Sequence, residues 1–145
     1  MKKLMSLSAI FLGFILVFSS CSTYEEGPMI SLKSKAARVE GTYTVDKVLK
    51  NGQEDQTTMD LLSGVEIRFE KDGTGEMRYT WGSVTYNVDL EWQFNDDKTE
   101  LQVRIKDLNG EWQAWESSEI IKLTDTEIWT VEYEGDDQYE YHYVE

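Results

Sequence analysis

A stretch of strict alternation between apolar and polar residues constrains the fold of this chain most strongly. From Val84 to Phe94 every even-numbered position is apolar and every odd-numbered position is polar. A period of two places all the apolar side chains on one face of a β-strand, whereas a helix would scatter them around its axis. The segment is therefore predicted to be a strand with one face buried and the other in water.

Segments with the same period follow one another from Gly41 onward, separated by turn residues at the spacing typical of all-β domains. Most connections are short enough for hairpins. The first is longer and contains a predicted helical turn from Thr57 to Leu62. The predicted strands are residues 41–49, 64–71, 75–81, 84–94, 99–108, 111–123, 127–134 and 138–145.

The loop lengths predict which residues face one another across the first hairpins. They pair Tyr79 with Tyr86, Ile67 with Tyr79, and Leu90 with Val103. Under these pairings four consecutive strands present one continuous apolar face.

The second half has a less regular pattern. Asn109-Gly110 is a strong signal for a tight hairpin. A bulge between residues 111 and 120 would turn Trp115 inward and Glu116 outward. Without one, the inner side of the second half carries Trp112, Glu116, Trp129 and Tyr141.

Antiparallel strands joined mainly by hairpins favour an all-β, eight-stranded antiparallel up-and-down barrel, because closure leaves no strand edge unpaired. A β-sandwich and an open meander sheet are the alternatives. The interior of such a barrel is just wide enough for side chains or for one small ligand.

Three segments resemble the lipocalin-like lipoproteins of the Bacteroidetes. They are Glu40 to Tyr43 at the first strand, Ile67 to Gly75 at a hairpin, and Leu123 to Trp129 near the end. The resemblance covers about residues 39–145 and implies a lipocalin-like barrel. Its motifs are mostly turn and packing signals, so it bears on the fold more than on the function.

The N-terminus has the layout of a bacterial export signal. Lys2 and Lys3 precede an apolar run over residues 9–18. That run is shorter than the roughly 20 apolar residues that a spanning helix needs. We therefore expect residues 1–20 to be a signal peptide that is removed.

Phe18 to Cys21 resembles the lipobox, in which the cysteine thiol receives a diacylglycerol and the new N-terminus is acylated. The resemblance implies a lipidated Cys21 anchored in the outer membrane or at the cell surface. Residues 21–38 are expected to be a flexible tether, and residues 39–145 to be the barrel domain. Cys21 is also the only cysteine, so the chain cannot form an intramolecular disulfide.

The charge of the chain excludes one class of partner. The formal net charge is −14, which provides no electrostatic footprint for nucleic acid. The partners expected are the membrane, through the lipid on Cys21, and a small hydrophobic ligand.

The sequence gives little sign of catalysis. His142 is the only histidine, and the predicted register turns it toward solvent. Asp96-Asp97 and Asp136-Asp137 lie in tight turns, where aspartate bonds its own backbone, and lack the ligand spacing of a calcium loop. No catalytic residue, metal or cofactor is therefore predicted. A hydrolase that uses a carboxylate pair is the last of the alternatives.

The aromatic content indicates a binding function. The chain has 5 Trp and 8 Tyr, and flat rings provide large contact areas in ligand cavities. The hypothesis is non-catalytic binding of a small, partly apolar molecule. The alternative is a barrel with a filled core that acts as a complex subunit or an inhibitor. The predicted ligand-binding residues are Trp81, Tyr86, Trp92, Trp112, Glu116, Trp129 and Tyr141.

Overall fold

The structure, a computed structural model, describes residues 32–145; the predicted signal peptide, Cys21 and most of the predicted tether lie outside this range. One antiparallel sheet of nine strands dominates the described residues. Its elements are α1 (Lys35–Val39), β1 (Gly41–Lys50), β2 (Gln53–Glu54), α2 (Gln56–Leu62), β3 (Val65–Phe69), β4 (Thr74–Trp81), β5 (Val84–Phe94), β6 (Glu100–Ile105), β7 (Glu116–Leu123), β8 (Glu127–Glu134) and β9 (Asp137–Val144).

The sheet closes on itself because β1 pairs with both β3 and β9. Tyr43 lies opposite Ile67 on one side of β1, and Val48 lies opposite Tyr141 on the other. The short strand β2 pairs only with the end of β1 and stands outside the ring. The predicted eight-stranded antiparallel barrel is thus confirmed, and α2 confirms the predicted helical turn.

The predicted register is correct for one of the first three hairpins and shifted for the other two. Strands β4 and β5 pair as predicted. In the other two hairpins Ile67 lies opposite Met77 and Leu90 opposite Ile105, which differs from the prediction by two residues. A shift of two returns every side chain to its predicted face. In the β5–β6 turn the shift reflects the Asn95 carboxamide, which accepts a backbone N–H at 2.8 Å.

Two irregularities shape the second half of the barrel. Strand β7 begins at Glu116 rather than at residue 111, and an isolated bridge between Lys106 and Trp112 precedes it. A bulge then interrupts the β7–β8 pairing between Ile120 and Lys122. Each irregularity changes which residues face inward.

One end of the barrel is closed and filled. Helix α1 lies there, and all of it but Val39 falls in residues 21–38, which the sequence analysis predicts to be a flexible tether. The Tyr43 hydroxyl donates to the Arg38 carbonyl at 2.9 Å, and the Arg38 guanidinium donates to the Leu123 carbonyl at 3.1 Å. These bonds hold α1 against the barrel end. The buried core cluster comprises Val39, Tyr43, Phe69, Leu90, Trp92, Leu101, Ile120, Leu123 and Ile128.

The opposite end carries the longer connections. The strand directions place α1 and the turns 70–73, 95–99 and 124–126 at the closed end. Connections 51–64 and 106–115 therefore lie at the other end, which we call the open end. The chain enters the barrel at the closed end.

Candidate ligand-binding cavity

The open half of the barrel contains a cavity of about 720 Å³. This volume lies within the roughly 300–1,000 Å³ that is common for small-molecule sites. Its apolar wall is formed by inward-facing side chains of β3, β4, β6 and β8. They are Ile67, Phe69, Met77, Leu101, Val103, Ile105 and Ile128.

Polar side chains of β7 and β8 converge on the other wall. The Ser118 hydroxyl donates to the Glu132 carboxylate at 2.5 Å, and Glu116 lines the cavity two residues away on β7. Thr130 also lines the cavity and is only 1% exposed. Within the described residues its Oγ1 atom makes no well-aligned hydrogen bond, although it lies close enough to the Tyr143 phenol to lower that group's pKa slightly. A buried hydroxyl that lacks a partner loses free energy relative to its state in water.

A ladder of tyrosines on β9 stands beside these groups. The rings of Tyr139, Tyr141 and Tyr143 stack in sequence, with centroids 6.4 and 6.2 Å apart. Burial, with the Glu132 charge as a second cause, raises the pKa of Tyr141 to about 12 and the pKa of Tyr143 well above its ordinary value. Both phenols are therefore neutral hydrogen-bonding groups at neutral pH.

The loop between β6 and β7 forms one edge of the cavity mouth through Asp107, Gln113 and Ala114. The Asp107 carboxylate accepts the backbone N–H groups of Asn109 and Glu111 at 2.8 and 2.9 Å. The bond from Glu111 is the largest cause that lowers the pKa of Asp107. The Asp107 carboxylate is thus engaged in hydrogen bonds within its own loop, and these bonds stabilise the conformation of the loop.

The same loop is fastened to the outer face of the barrel. The Arg104 guanidinium binds Glu91, and it lies 5.0 Å from the Trp112 ring centroid and 4.6 Å from that of Trp115. The prediction that Trp112 faces inward is therefore wrong. The bridge to Lys106 places it on the outer face, and the irregular stretch before β7 then restores the predicted inward position of Glu116.

Trp129 was also predicted to face inward and instead lies outside. The bulge at Ile121 leaves Trp129 opposite Lys122, so that Ile128, Thr130 and Glu132 turn toward the interior. The Lys122 ammonium lies 3.9 Å from the Trp129 ring centroid. One unpaired residue in β7 thereby replaces an aromatic wall with a polar one.

The remaining predicted site residues lie apart from one another. Trp92 is 5% exposed in the filled core, where its indole N–H donates to the Glu70 carbonyl at 2.8 Å. Trp81 and Tyr86 are 88% and 57% exposed on the β4–β5 hairpin. Tyr141 stands in the tyrosine ladder. Of the seven predicted residues, Glu116 alone lines the cavity among the residues described.

Thr130 and Glu132 are not among the ligand-binding residues predicted from the sequence. The missing information is the bulge in β7, because it decides which face of β8 turns inward. Ile120 and Ile121 are adjacent apolar residues, which a strand of strict period two does not have, and this doubling is the signal that could have indicated the bulge.

His142 faces outward, as predicted, but it is buried. Its ring stacks on Trp129 with centroids 3.7 Å apart, and its Nε2 contacts the Glu140 carboxylate. Within residues 32–145 no three His, Cys, Asp or Glu side chains converge in a way that could hold a metal ion. Neither helix in that range is long and apolar enough to cross a membrane.

In comparisons with known proteins, no protein-family model matches the chain, and no curated protein is similar enough to count as a match.

Proposed function

We propose that this chain is a lipid-anchored, non-catalytic binding protein that holds a small, partly apolar molecule in the open half of its barrel. The observation that carries the proposal is the cavity of about 720 Å³, with an apolar wall on one side and Ser118, Thr130 and Glu132 on the other. Sites for small molecules commonly combine apolar contact area with a few polar groups that fix orientation.

The barrel has one packed half and one half with open space, and this difference favours a ligand cavity over a barrel whose interior is filled by side chains. The closed half packs Tyr43, Leu90 and Leu123 at 0–1% exposure, whereas Val103 and Ile105 in the cavity wall stay only partly buried. The side chains available at the open end do not fill the space. A barrel that served only as a rigid scaffold would gain stability from filling it.

An interaction protein is the second candidate, and it has an observation in its favour. Trp81 and Leu61 lie at the open end with 88% and 77% of their surface exposed. Exposed apolar side chains that group together are typical of protein contact surfaces. Partner binding at this end would not exclude a ligand in the cavity.

The proposed anchor is a lipid on Cys21, which places the protein at the outer membrane or the cell surface. The described chain enters the barrel at the closed end, so the cavity mouth lies at the end opposite the tether. In the native host, Cys21→Ser should abolish fatty-acid labelling and processing of the precursor. Ser20→Ala, which keeps a small residue before the thiol, should label normally. Continued labelling of Cys21→Ser would show that the lipid is attached to another residue.

Binding is tested by native mass spectrometry of the full chain purified in lipid nanodiscs. A small molecule that copurifies, or that is captured from a broad metabolite panel, is the expected result. Val103→Trp, which introduces a large ring into the cavity wall, should abolish the bound mass. A chain that captures nothing from the panel would contradict the proposal.

A further inference from the structure

The charged groups of the cavity indicate the chemistry of its ligand. Glu116 and Glu132 both line the wall formed by β7 and β8. Asp107 is already committed to backbone N–H groups of its own loop. Two carboxylates thus face a space whose opposite wall is apolar.

No basic side chain of the described residues balances these carboxylates from within the cavity. Arg104 is the one basic residue in the cavity wall, and its guanidinium binds Glu91. There it is enclosed by Trp112 and Trp115 on the outer face. A cation inside the cavity would therefore have to come from a ligand.

A second observation, independent of the carboxylates, also indicates a ligand on this wall. Thr130 faces inward between Ile128 and Glu132 and is 1% exposed. Among the residues that the structure describes, its hydroxyl makes no well-aligned hydrogen bond, and the polar side chain beside it is the Tyr143 phenol, whose pKa it lowers slightly. The Ser118 hydroxyl already donates a hydrogen bond to the Glu132 carboxylate, which orients that carboxylate toward the cavity side of β7 and β8. The wall thus holds one oriented carboxylate beside a buried hydroxyl that lacks a well-aligned partner among the described residues.

A metal ion fits this arrangement less well than an organic cation. Within the described residues no three acidic, histidine or cysteine side chains gather in metal-binding geometry. The apolar wall, which includes Ile67, Met77 and Val103, would also remain without a partner if a hydrated ion were bound. An amphiphile uses both walls.

We propose that the cavity takes an apolar molecule that carries one cationic group, such as a protonated amine, with Glu132 and Glu116 as its counter-charges. This inference rests on the proposed binding function and adds the charge of the ligand to it. The net charge of −14 favours the same ligands, because it raises the local concentration of cations around the mouth.

The test compares three head groups on identical apolar bodies. The full chain in zwitterionic nanodiscs is titrated calorimetrically with the amine, the alcohol and the carboxylate of a naphthylethyl body and of a hexyl body, with empty nanodiscs as blanks. The amine should bind about tenfold more tightly than the alcohol, which corresponds to about 1.4 kcal/mol. The carboxylate should bind more weakly than both, and salt should reduce the preference for the amine.

Two variants test whether the carboxylates of β7 and β8 cause the tighter binding of the amine. Glu116→Gln/Glu132→Gln keeps the shape of both side chains and should bring the amine close to the alcohol while binding of the alcohol persists. Glu119→Gln, an exposed glutamate on the outward face of β7, is the matched control for loss of an acidic charge and should retain the preference.

The outcomes separate this inference from the proposed function. Equal binding of amine and alcohol, tighter binding of the carboxylate, or a preference that survives in the double variant would overturn the cationic ligand and leave a binding cavity standing. Binding of none of the probes would overturn both.

Discussion

The closed and open halves of this barrel are built from the same strands and differ in how their interiors are occupied. Leu90 and Ile105 lie directly opposite each other across β5 and β6, yet Leu90 is 1% exposed in the core while Ile105 lines the cavity. The closed half has a helix across its end, and the bulge at Ile121 lies near that end, between the core residues Ile120 and Leu123. The open half has the exposed β4–β5 hairpin and the irregular stretch that precedes β7. Interior space is thus found toward the end where a long irregular connection takes the place of a regular strand.

The largest expected effect is on stability, and it is a difference between truncation of a core side chain and truncation of a side chain that lines the cavity. Leu90→Ala should lower the free energy of unfolding by about 2–5 kcal/mol, because it leaves a void among close-packed neighbours. Ile105→Ala should cost about 1 kcal/mol, since its side chain already borders open space. Urea denaturation of both variants measures the difference. Equal losses would show that the two halves are packed alike.

Enlargement of side chains should give the same ranking in stability as truncation, with smaller effects. Leu90→Phe should cost about 1–3 kcal/mol through overpacking. Val103→Phe should change stability by less than about 1 kcal/mol, because the cavity accommodates the ring. The same denaturation experiment measures both, and a strongly destabilised Val103→Phe would indicate that the cavity is closed in solution.

An alkaline pH dependence should arise in the closed half. Burial, with Glu145 as a second cause, raises the pKa of Tyr43 from 10.0 to about 12. The unfolded chain loses the Tyr43 proton near pH 10 while the folded chain keeps it, so this contribution is present below pH 10 and is lost as the pH rises toward 12.

Stability should therefore fall by up to about 1.4 kcal/mol from this residue between pH 10 and pH 11. Tyr43→Phe should remove that part of the loss, at the cost of about 1 kcal/mol at pH 8 for the hydrogen bond to Arg38. Denaturation at the two pH values of the variant and of the unmodified protein measures both effects. An unchanged alkaline loss in Tyr43→Phe would contradict the assignment.

The smallest effect concerns two tryptophans that the sequence placed in one site. Trp81→Phe should alter stability by less than about 0.5 kcal/mol, because its ring is 88% exposed. It should also remove most of the fluorescence that acrylamide quenches. Trp92→Phe should leave that quenched fraction in place and destabilise the core, in which its indole binds Glu70. The reverse pattern would mean that the β4–β5 hairpin folds over the cavity.

Sequence reasoning succeeded where one periodic signal was long. The alternation from Val84 to Phe94 gave a correct strand and a correct inward face, and the turn at Gly82 gave the correct β4–β5 register. The two shifted hairpins kept their faces because an error of two residues preserves the alternation. Closure of the barrel followed correctly from the number of strands and the short hairpins.

Sequence reasoning failed at the site because the site depends on single residues that break the period. A one-residue bulge has almost no signature in composition, yet it moves Trp129 outside and brings Thr130 and Glu132 inside. The tight Asn109-Gly110 turn was recognised, but the Arg104 contact that holds Trp112 on the outer face joins residues of different elements, which no local pattern reveals.

The sequence by itself determined the strands, the apolar face, the closed barrel and the acidic charge, because these depend on local periodicity and on counting. The tertiary structure alone decided that the barrel is filled at one end and open at the other. It also decided that β8 turns Thr130 and Glu132, rather than Trp129, toward the cavity. The physical reason is that a side chain reaches the interior through the summed register of all the hairpins around the ring. One unpaired residue reverses the faces of the residues that follow it until a turn of another length reverses them again, as happens between Trp129 and His142.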